Sequence, residues 1–366
     1  MSAPLSCIIT CFCLEKYIGQ SLETAFRQTY DGLVQYIIID DASTDRSRLV
    51  IEETIAKFAN GLDILFISNK SNLGIAASTD LGVFHAKYEH IVLMDGDDLF
   101  PEDRLQKTGE ILSRHPDAMM IMGSMIHMNE RGVLGKKQGY SALKPYHLLP
   151  EEFVLSTADE KLNDYLGNSG IKINAYGTAL SFNKKLYFMY GPIAPLDEHL
   201  RCSQDGPIEI RALLTGKVVG TKSIFSHYRA HQSNLSNYSY GSDFNGLKRK
   251  EIVWTRKQVM YMDIMSRCLM DISRARSRNL TDWNEEQLSL LEKKFSKALQ
   301  VHALRTAWWD LPWRKRFSRI ARASCQSSLS LKDLIWGWSR LLPLNLHTLI
   351  KWIGKFITGQ SSAVTL

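Results

Sequence analysis

Over its first hundred or so residues the chain alternates short, nearly unbroken apolar runs with segments of helical periodicity, and this alternation leaves few folds open to it. Residues 5–10 (LSCIIT), 35–40 (QYIIID), 62–67 and 91–94 are aliphatic or β-branched and too short for helices, which predicts strands. Residues 16–28 place Ile18, Leu22, Ala25 and Phe26 at helical spacing, and residues 47–58 and 75–86 repeat the pattern. Strands that are apolar on both faces need cover on both faces. A mostly parallel sheet flanked by helices, a Rossmann-like α/β fold, is therefore expected. After Met119 the pattern loosens into mixed strand, loop and helix, and after Asn245 it turns mainly helical and charged, with no internal repeat.

In open α/β sheets ligands bind beyond the carboxyl ends of the strands. Two of those ends are strongly acidic. The second run closes in Asp40-Asp41-Ala42-Ser43-Thr44-Asp45 and the fourth in Asp95-Gly96-Asp97-Asp98. Three acids within four positions are costly to bury without a partner, so a cation is the natural companion. An Asp-x-Asp pair on an extended segment turns both carboxylates to one side, which suits a hard divalent ion that also takes diphosphate oxygens. A solvated acidic turn ahead of a helix is the simpler alternative. Pro101 is expected in the first turn of that helix, with Glu102 and Asp103 at its positive end.

Composition removes several function classes. With 366 residues and 45% hydrophobic side chains the chain can bury a large core. Its net charge of +7 suggests nucleic-acid binding until it is located along the chain. Residues 311–366 hold nine basic side chains against the single acid Asp333, so they account for all of the excess and leave the rest close to neutral. The six cysteines form no CxxC pair, which argues for reduced thiols and against a zinc site. The first five residues lack the basic and apolar segments of an export signal, so a cytoplasmic location is expected.

Several ordered blocks together carry a resemblance. They are residues 6–10 with Tyr17 (SCIIT and KY), residues 21–30 (SLETAFRQTY), residues 37–45 (IIIDDASTD), Asn72-Leu73-Gly74, residues 92–98 (VLMDGDD) and Asp103-Arg104-Leu105. In these blocks the chain resembles the family-2 glycosyltransferases of the GT-A fold, inverting enzymes of bacterial cell-surface glycan synthesis. The likeness is strong over residues 5–125 and weaker over 170–235. It implies a GT-A domain over residues 1–240, with a nucleotide-sugar-binding half (1–118) and an acceptor half (119–240), then a helical extension (241–310) and a basic aromatic tail (311–366).

Carried over position by position, the resemblance assigns Thr10 and Asp41 to the donor nucleotide, with Asp41 placed to accept the imide N–H of a uracil or thymine ring. A turn acid bonding backbone amides near Ser43 is the alternative for Asp41. Asp40 takes that structural role and Asp45 that of a helix N-cap. Asp95 and Asp97 match the DxD pair that holds Mn²⁺ or Mg²⁺, with Asp97 the more direct metal ligand and Asp95 also facing the donor. The catalytic base matches Asp205 in Ser203-Gln204-Asp205-Gly206, where Gln204 departs from the common Glu and Glu198 and Glu209 are nearby acids of the right type. His231, in the segment Tyr228-Arg229-Ala230-His231, matches a donor-side contact, as does Arg229. Thr79-Asp80 stands where many relatives carry Arg-Asn. The implied activity is direct, inverting transfer from a UDP- or dTDP-type sugar to a hydroxyl of a glycan or lipid-linked acceptor.

Two other readings remain at this level. A sugar-phosphate nucleotidyltransferase would need a Gly-rich basic loop after the first strand, where this chain has Thr10-Cys11-Phe12-Cys13-Leu14-Glu15. A non-catalytic glycosyltransferase-like subunit is the other. In the last sixty residues, six of the eight tryptophans are interleaved with basic residues, and Leu346, Leu349, Ile350, Ile353, Phe356 and Ile357 fall on one helical face. That pattern fits a helix lying in a lipid headgroup layer on the inner face of the membrane better than a nucleic-acid surface, and it also fits a helix packed on the protein's own core. Arg340 and Pro343 interrupt any run long enough to span a bilayer.

Overall fold

The computed structural model describes residues 2–58, 61–141, 143–169, 176–193, 203–231, 258–305 and 311–324, together with a few isolated positions. The chain divides into two compact units, Met1–Ala230 with Met270–Leu291, and His231–Leu269 with Glu292–Leu366.

In the first unit the apolar runs form β1 (Leu5–Cys11), β2 (Val34–Asp40), β3 (Asp63–Ser68) and β4 (His90–Asp95). Between and after them lie α1 (Ile18–Phe26), α2 (Ser47–Phe58), α3 (Ile75–His85) and α4 (Arg104–Arg114). The first helix starts later than its periodicity suggests, because Tyr17 sits outside the helical region at φ −122°. Pro101 precedes α4 instead of joining its first turn, and its carbonyl accepts the Arg104 amide at 3.0 Å. Ile8, Ile9, Ile37, Ile38, Ile39 and Val92 have no exposed surface. Side chains of this kind contribute roughly 2 kcal/mol each when removed from water.

The later half adds β5 (Ala118–Asn129), β6 (Leu134–Gln138), β7 (Glu152–Leu155), β8 (Leu180–Asn183) and β9 (Lys217–Ala230), with α5 (Ala158–Leu166), α6 (Lys185–Tyr190) and α7 (Asp205–Thr215). The sheet order is β3-β2-β1-β4-β8-β5-β9-β7, with β6 paired to β5. The strands β1 to β4 pair in parallel, whereas β8 runs antiparallel to both β4 and β5. From β1 the chain moves outward through β2 and β3, then returns to set β4 on the other side of β1. That reversal opens a crevice at the carboxyl ends of β1 and β4.

A buried ion pair anchors α7. Arg211, 1% exposed, donates through Nε to Asp271 Oδ2 at 2.7 Å, and its other nitrogens bond the carbonyls of Gly191 and Pro192 at 2.7 and 3.1 Å. Asp271 belongs to the helix Gln258–Arg278, in the part that folds with the first unit. Removing one member of a buried pair strands the other charge, so Asp271→Ala is expected to cost about 3–5 kcal/mol in urea unfolding. The double change Arg211→Met with Asp271→Leu should recover most of that loss.

The second unit is described by its helical stretches. There His302 Nδ1 lies 2.8 Å from Gln258 Oε1 and its ring stacks on Tyr261 with centroids 5.1 Å apart. Among the described residues Cys7, Cys11, Cys13 and Cys268 are free thiols. Among the described residues no helix is long and apolar enough to cross a membrane. The amphipathic stretch expected over residues 346–357 falls, apart from His347 and Thr348, outside the described residues.

Candidate functional site

The register sets Thr10 of β1 beside Asp95 of β4 and beside Ile39 of β2, so the first polar positions at the strand ends meet at the crevice. Gly96 then folds back on β1, its amide donating to the Thr10 carbonyl at 2.9 Å. A β-carbon at Gly96 would stand 2.7 Å from that carbonyl oxygen and 2.9 Å from Ile18 Cδ1, so only glycine permits this approach. The Asp98 amide closes onto the Asp95 carbonyl at 3.0 Å, which makes the acidic segment a tight turn.

The far side of that turn is held by β9. Leu99 and His227 exchange backbone hydrogen bonds of 3.2 and 2.8 Å. The Arg229 amide donates to Asp98 Oδ1 at 2.7 Å, and its guanidinium bonds the Asp97 carbonyl, the Glu130 carbonyl and Gln20 Oε1 at 2.8, 3.2 and 2.8 Å. Arg229, 3% exposed, thus shapes the turn from beneath. Asp97 stays partly open to solvent.

Asp205 is the first residue of α7, where the helix end favours negative charge. Its carboxylate acts on Asp95: burial, then the charges of Asp97 and Asp205, push the Asp95 carboxyl well above the usual range. Burial, with Asp97 and Asp95, does the same to Asp98. For Asp205 burial outweighs the Gly177 amide and the Ser203 hydroxyl and lifts its pKa to about 6. Asp205 Oδ1 is buried with no hydrogen-bond partner. Gly177 makes room for it, since a β-carbon there would lie 2.9 Å from Asp205 Oδ1 and 2.7 Å from Gln204 Nε2. The fold therefore brings the sequence-predicted Asp95, Asp97 and Asp205 together, with more negative charge than the protein neutralises.

Among the described residues no group of three His, Cys, Asp or Glu side chains is placed to hold a metal ion alone. A carboxyl whose proton affinity is raised by neighbouring carboxylates, as at Asp95, still fits a divalent cation whose remaining positions go to phosphate oxygens and water.

At the end of β2, Asp41 is 4% exposed and its carboxylate accepts from Asn69 Nδ2 and the amides of Leu73 and Gly74, each at 2.8 Å. It thereby ties down the loop before α3. Asp40 accepts from the Ser43 amide and the Ser68 hydroxyl at 3.3 and 3.2 Å, and Asp45 accepts from the Ser47 amide at the start of α2 at 3.0 Å. Thr79 is buried, and Asp80 accepts the Ile193 amide at 2.9 Å. His231 falls in the second unit, 4% exposed, with its amide bonded to Asn234 Oδ1 at 2.5 Å. Glu198 lies outside the described residues.

Residues 6–183 match the model of glycosyl transferase family 2. Over this segment, just under half of its length, the chain is similar to glycosyl transferase family 2. EpsE of Bacillus subtilis (strain 168), named as a glycosyltransferase, is 30% identical over 133 residues, covering 36% of this chain and 47% of EpsE. The minor teichoic acid biosynthesis protein GgaB of the same organism is 22% identical over 232 residues, covering 61% of this chain and 25% of GgaB. The chain thus spans about half or less of the length of these relatives. Among solved structures, Staphylococcus aureus TarS superimposes with a TM-score of 0.55 at 14% identity over 96% of this chain and 54% of TarS. TarS 1–349 in complex with UDP-GlcNAc gives 0.50 at 15% identity over 97% and 92%. The fold is the GT-A arrangement that the family resemblance implies.

Sequence reading placed Arg229 among donor contacts and did not see its grip on the acidic turn, nor the space that Gly177 leaves for Asp205. The signal for Arg229 was faint: a single arginine in a strand pattern has no neighbour in sequence to pair with.

The raised Asp205 pKa has a stability consequence. Its ionised form is disfavoured in the fold, so the contribution is whole below the unfolded value near 4 and is lost as pH rises through about 6. In metal-free buffer Asp205→Asn is expected to stabilise the protein by about 1–3 kcal/mol at pH 7.5 and by almost nothing at pH 4, as read by chemical denaturation. Equal effects at both pH values would show that Asp205 is not desolvated.

Proposed function

We propose that this chain is an inverting glycosyltransferase that moves a sugar from a UDP- or dTDP-type donor to a hydroxyl of a glycan or lipid-linked acceptor in cell-surface polysaccharide synthesis. The observation that carries the reading is the meeting of Asp95, Asp97 and Asp205 at the β1/β4 crevice, with Asp205 tuned to a pKa of about 6. Similarity to the family over residues 6–183 and the name of GgaB support the reaction class and its setting.

In this reading Thr10 and Asp41 face the nucleotide. The three donors already on Asp41 leave room for about one more on an ionised carboxylate, which suits a single imide N–H. Asp97 and Asp95 hold Mn²⁺ or Mg²⁺, which when bound offsets the charge of the diphosphate leaving group. Asp205 takes the proton of the acceptor hydroxyl as its oxygen attacks the anomeric carbon from the face opposite the diphosphate, and the configuration inverts. A base with a pKa of about 6 is ionised at neutral pH yet retains proton affinity. Arg229 and Gly96 keep the acidic turn in register with β1, and His231 is assigned to the donor side.

Asp205→Asn is expected to lower transfer by about 10²–10⁴-fold while UDP with Mn²⁺ still raises the melting temperature. Undiminished turnover would remove Asp205 from the role of base. Asp97→Ala should abolish the metal-dependent part of the UDP shift.

The tail completes the proposal: residues 331–366 hold the enzyme on the inner membrane face, near an anchored acceptor. Flotation with anionic vesicles should lose the protein when residues 331–366 are deleted. Equal flotation of the truncated chain would assign membrane contact elsewhere.

A further inference from the structure

A hollow of about 920 Å³ opens beside β6, on the acceptor half of the first unit. Its lining includes His127, Lys136, Lys137, Lys144, Tyr146 and His147, and among the described residues no acidic side chain contributes to it. The three lysines are exposed. The Lys137 and Lys222 ammonium groups both lie over the Tyr146 ring, at 5.2 and 5.4 Å from its centroid. Positive charge is thus concentrated on a body whose sequence, without the last 56 residues, is close to neutral.

The hollow is wired to the catalytic end of the crevice. Gln138 on its wall bonds His127 at 2.5 Å and donates to the Tyr176 hydroxyl at 2.6 Å. Tyr176 precedes Gly177, whose amide bonds Asp205. His127 also pairs in register with Tyr228, the neighbour of the Arg229 that shapes the acidic turn. A molecule seated in the hollow therefore lies on the same strands and loops that place the base.

We propose that this hollow binds a phosphate-ester anion carried by the acceptor. The inference rests on the glycosyltransferase reading and names the chemistry of its second substrate. A neutral glycan is recognised by aromatic faces and neutral hydrogen bonds and gains nothing from clustered ammonium groups, whereas phosphate oxygens accept charge-assisted hydrogen bonds from lysine. Separation of charge also makes chemical sense. The carboxylates around Asp95 repel a phosphate, so a site that draws the anion to β6 leaves the acceptor's hydroxyl to approach Asp205 alone. The volume accommodates a phosphate together with an adjoining sugar or glycerol unit.

The test uses the full chain in metal-free, low-salt buffer, where the acidic crevice repels the probes. A soluble glycerol-phosphate oligomer is titrated by calorimetry, and vesicles of phosphatidylglycerol in phosphatidylcholine are tested by flotation. The variant Lys136→Ala/Lys137→Ala/Lys144→Ala is expected to bind the oligomer at least about tenfold more weakly, and the corresponding Lys→Arg variant to retain binding. Loss confined to the vesicle arm would identify the phosphate as that of a lipid headgroup. Alanine-variant affinities within twofold of wild type for both probes would overturn the proposal. A parallel melting assay with UDP and Mn²⁺ separates the two ideas. Wild type without a UDP shift sinks the glycosyltransferase reading, whereas equal UDP shifts with unchanged phosphate binding sink only this one.

Discussion

Four carboxylates, Asp95, Asp97, Asp98 and Asp205, crowd one end of the sheet, and much of the surrounding structure serves to hold them against their mutual repulsion. Burial and neighbouring charge drive Asp95 and Asp98 toward their protonated forms. The opposing restraints are backbone bonds: Gly96 to Thr10, Asp98 to Asp95, and Leu99 with His227. Arg229 adds a positive charge from below without filling the open side. The result is a rigid acidic rim whose energy falls when a cation or proton arrives, a natural basis for binding linked to charge.

That rim depends on elements far apart in sequence. The turn after β4 is local, but Asp205 reaches it only because β8 inserts between β4 and β5 and because α7 is pinned by Arg211 and Asp271. A change near residue 271 can therefore disturb the position of a carboxylate in the crevice without touching it. Gly177 links the two regions, since it gives the Asp205 side chain its space.

The parallel half was legible because its strands are continuous apolar runs with one satisfactory fate, burial between helices. The mixed half was not. β8 is only LSFN, with Ser181 and Asn183 buried beside Leu180 and Phe182, and β5 is rich in methionine, which carries little strand signal. The antiparallel insertion of β8 follows from long-range packing that no local pattern reports. Among site residues, the acids were visible because charge at a strand end is anomalous wherever it occurs. Arg229 and Gly177 act through geometry: one through carbonyl groups, the other through the absence of a side chain. Neither has a compositional signature. The tail, with its tryptophans and lysines, was conspicuous in sequence and lies mostly outside the described residues.

The three hydrogen bonds that Asp41 accepts from residues 69–74 bear on how substrate preference can change in this lineage. One carboxylate here closes a loop and, in the proposed reading, also meets the nucleotide, so the two duties cannot drift independently. Replacing it to welcome a different base would also release the loop, and the new partner would have to be ordered at the moment of capture, at an entropic cost the present arrangement has already met during folding. In the proposed reading, switching the nucleotide would therefore demand coordinated exchange across β2 and the loop before α3, which makes this corner slow to change.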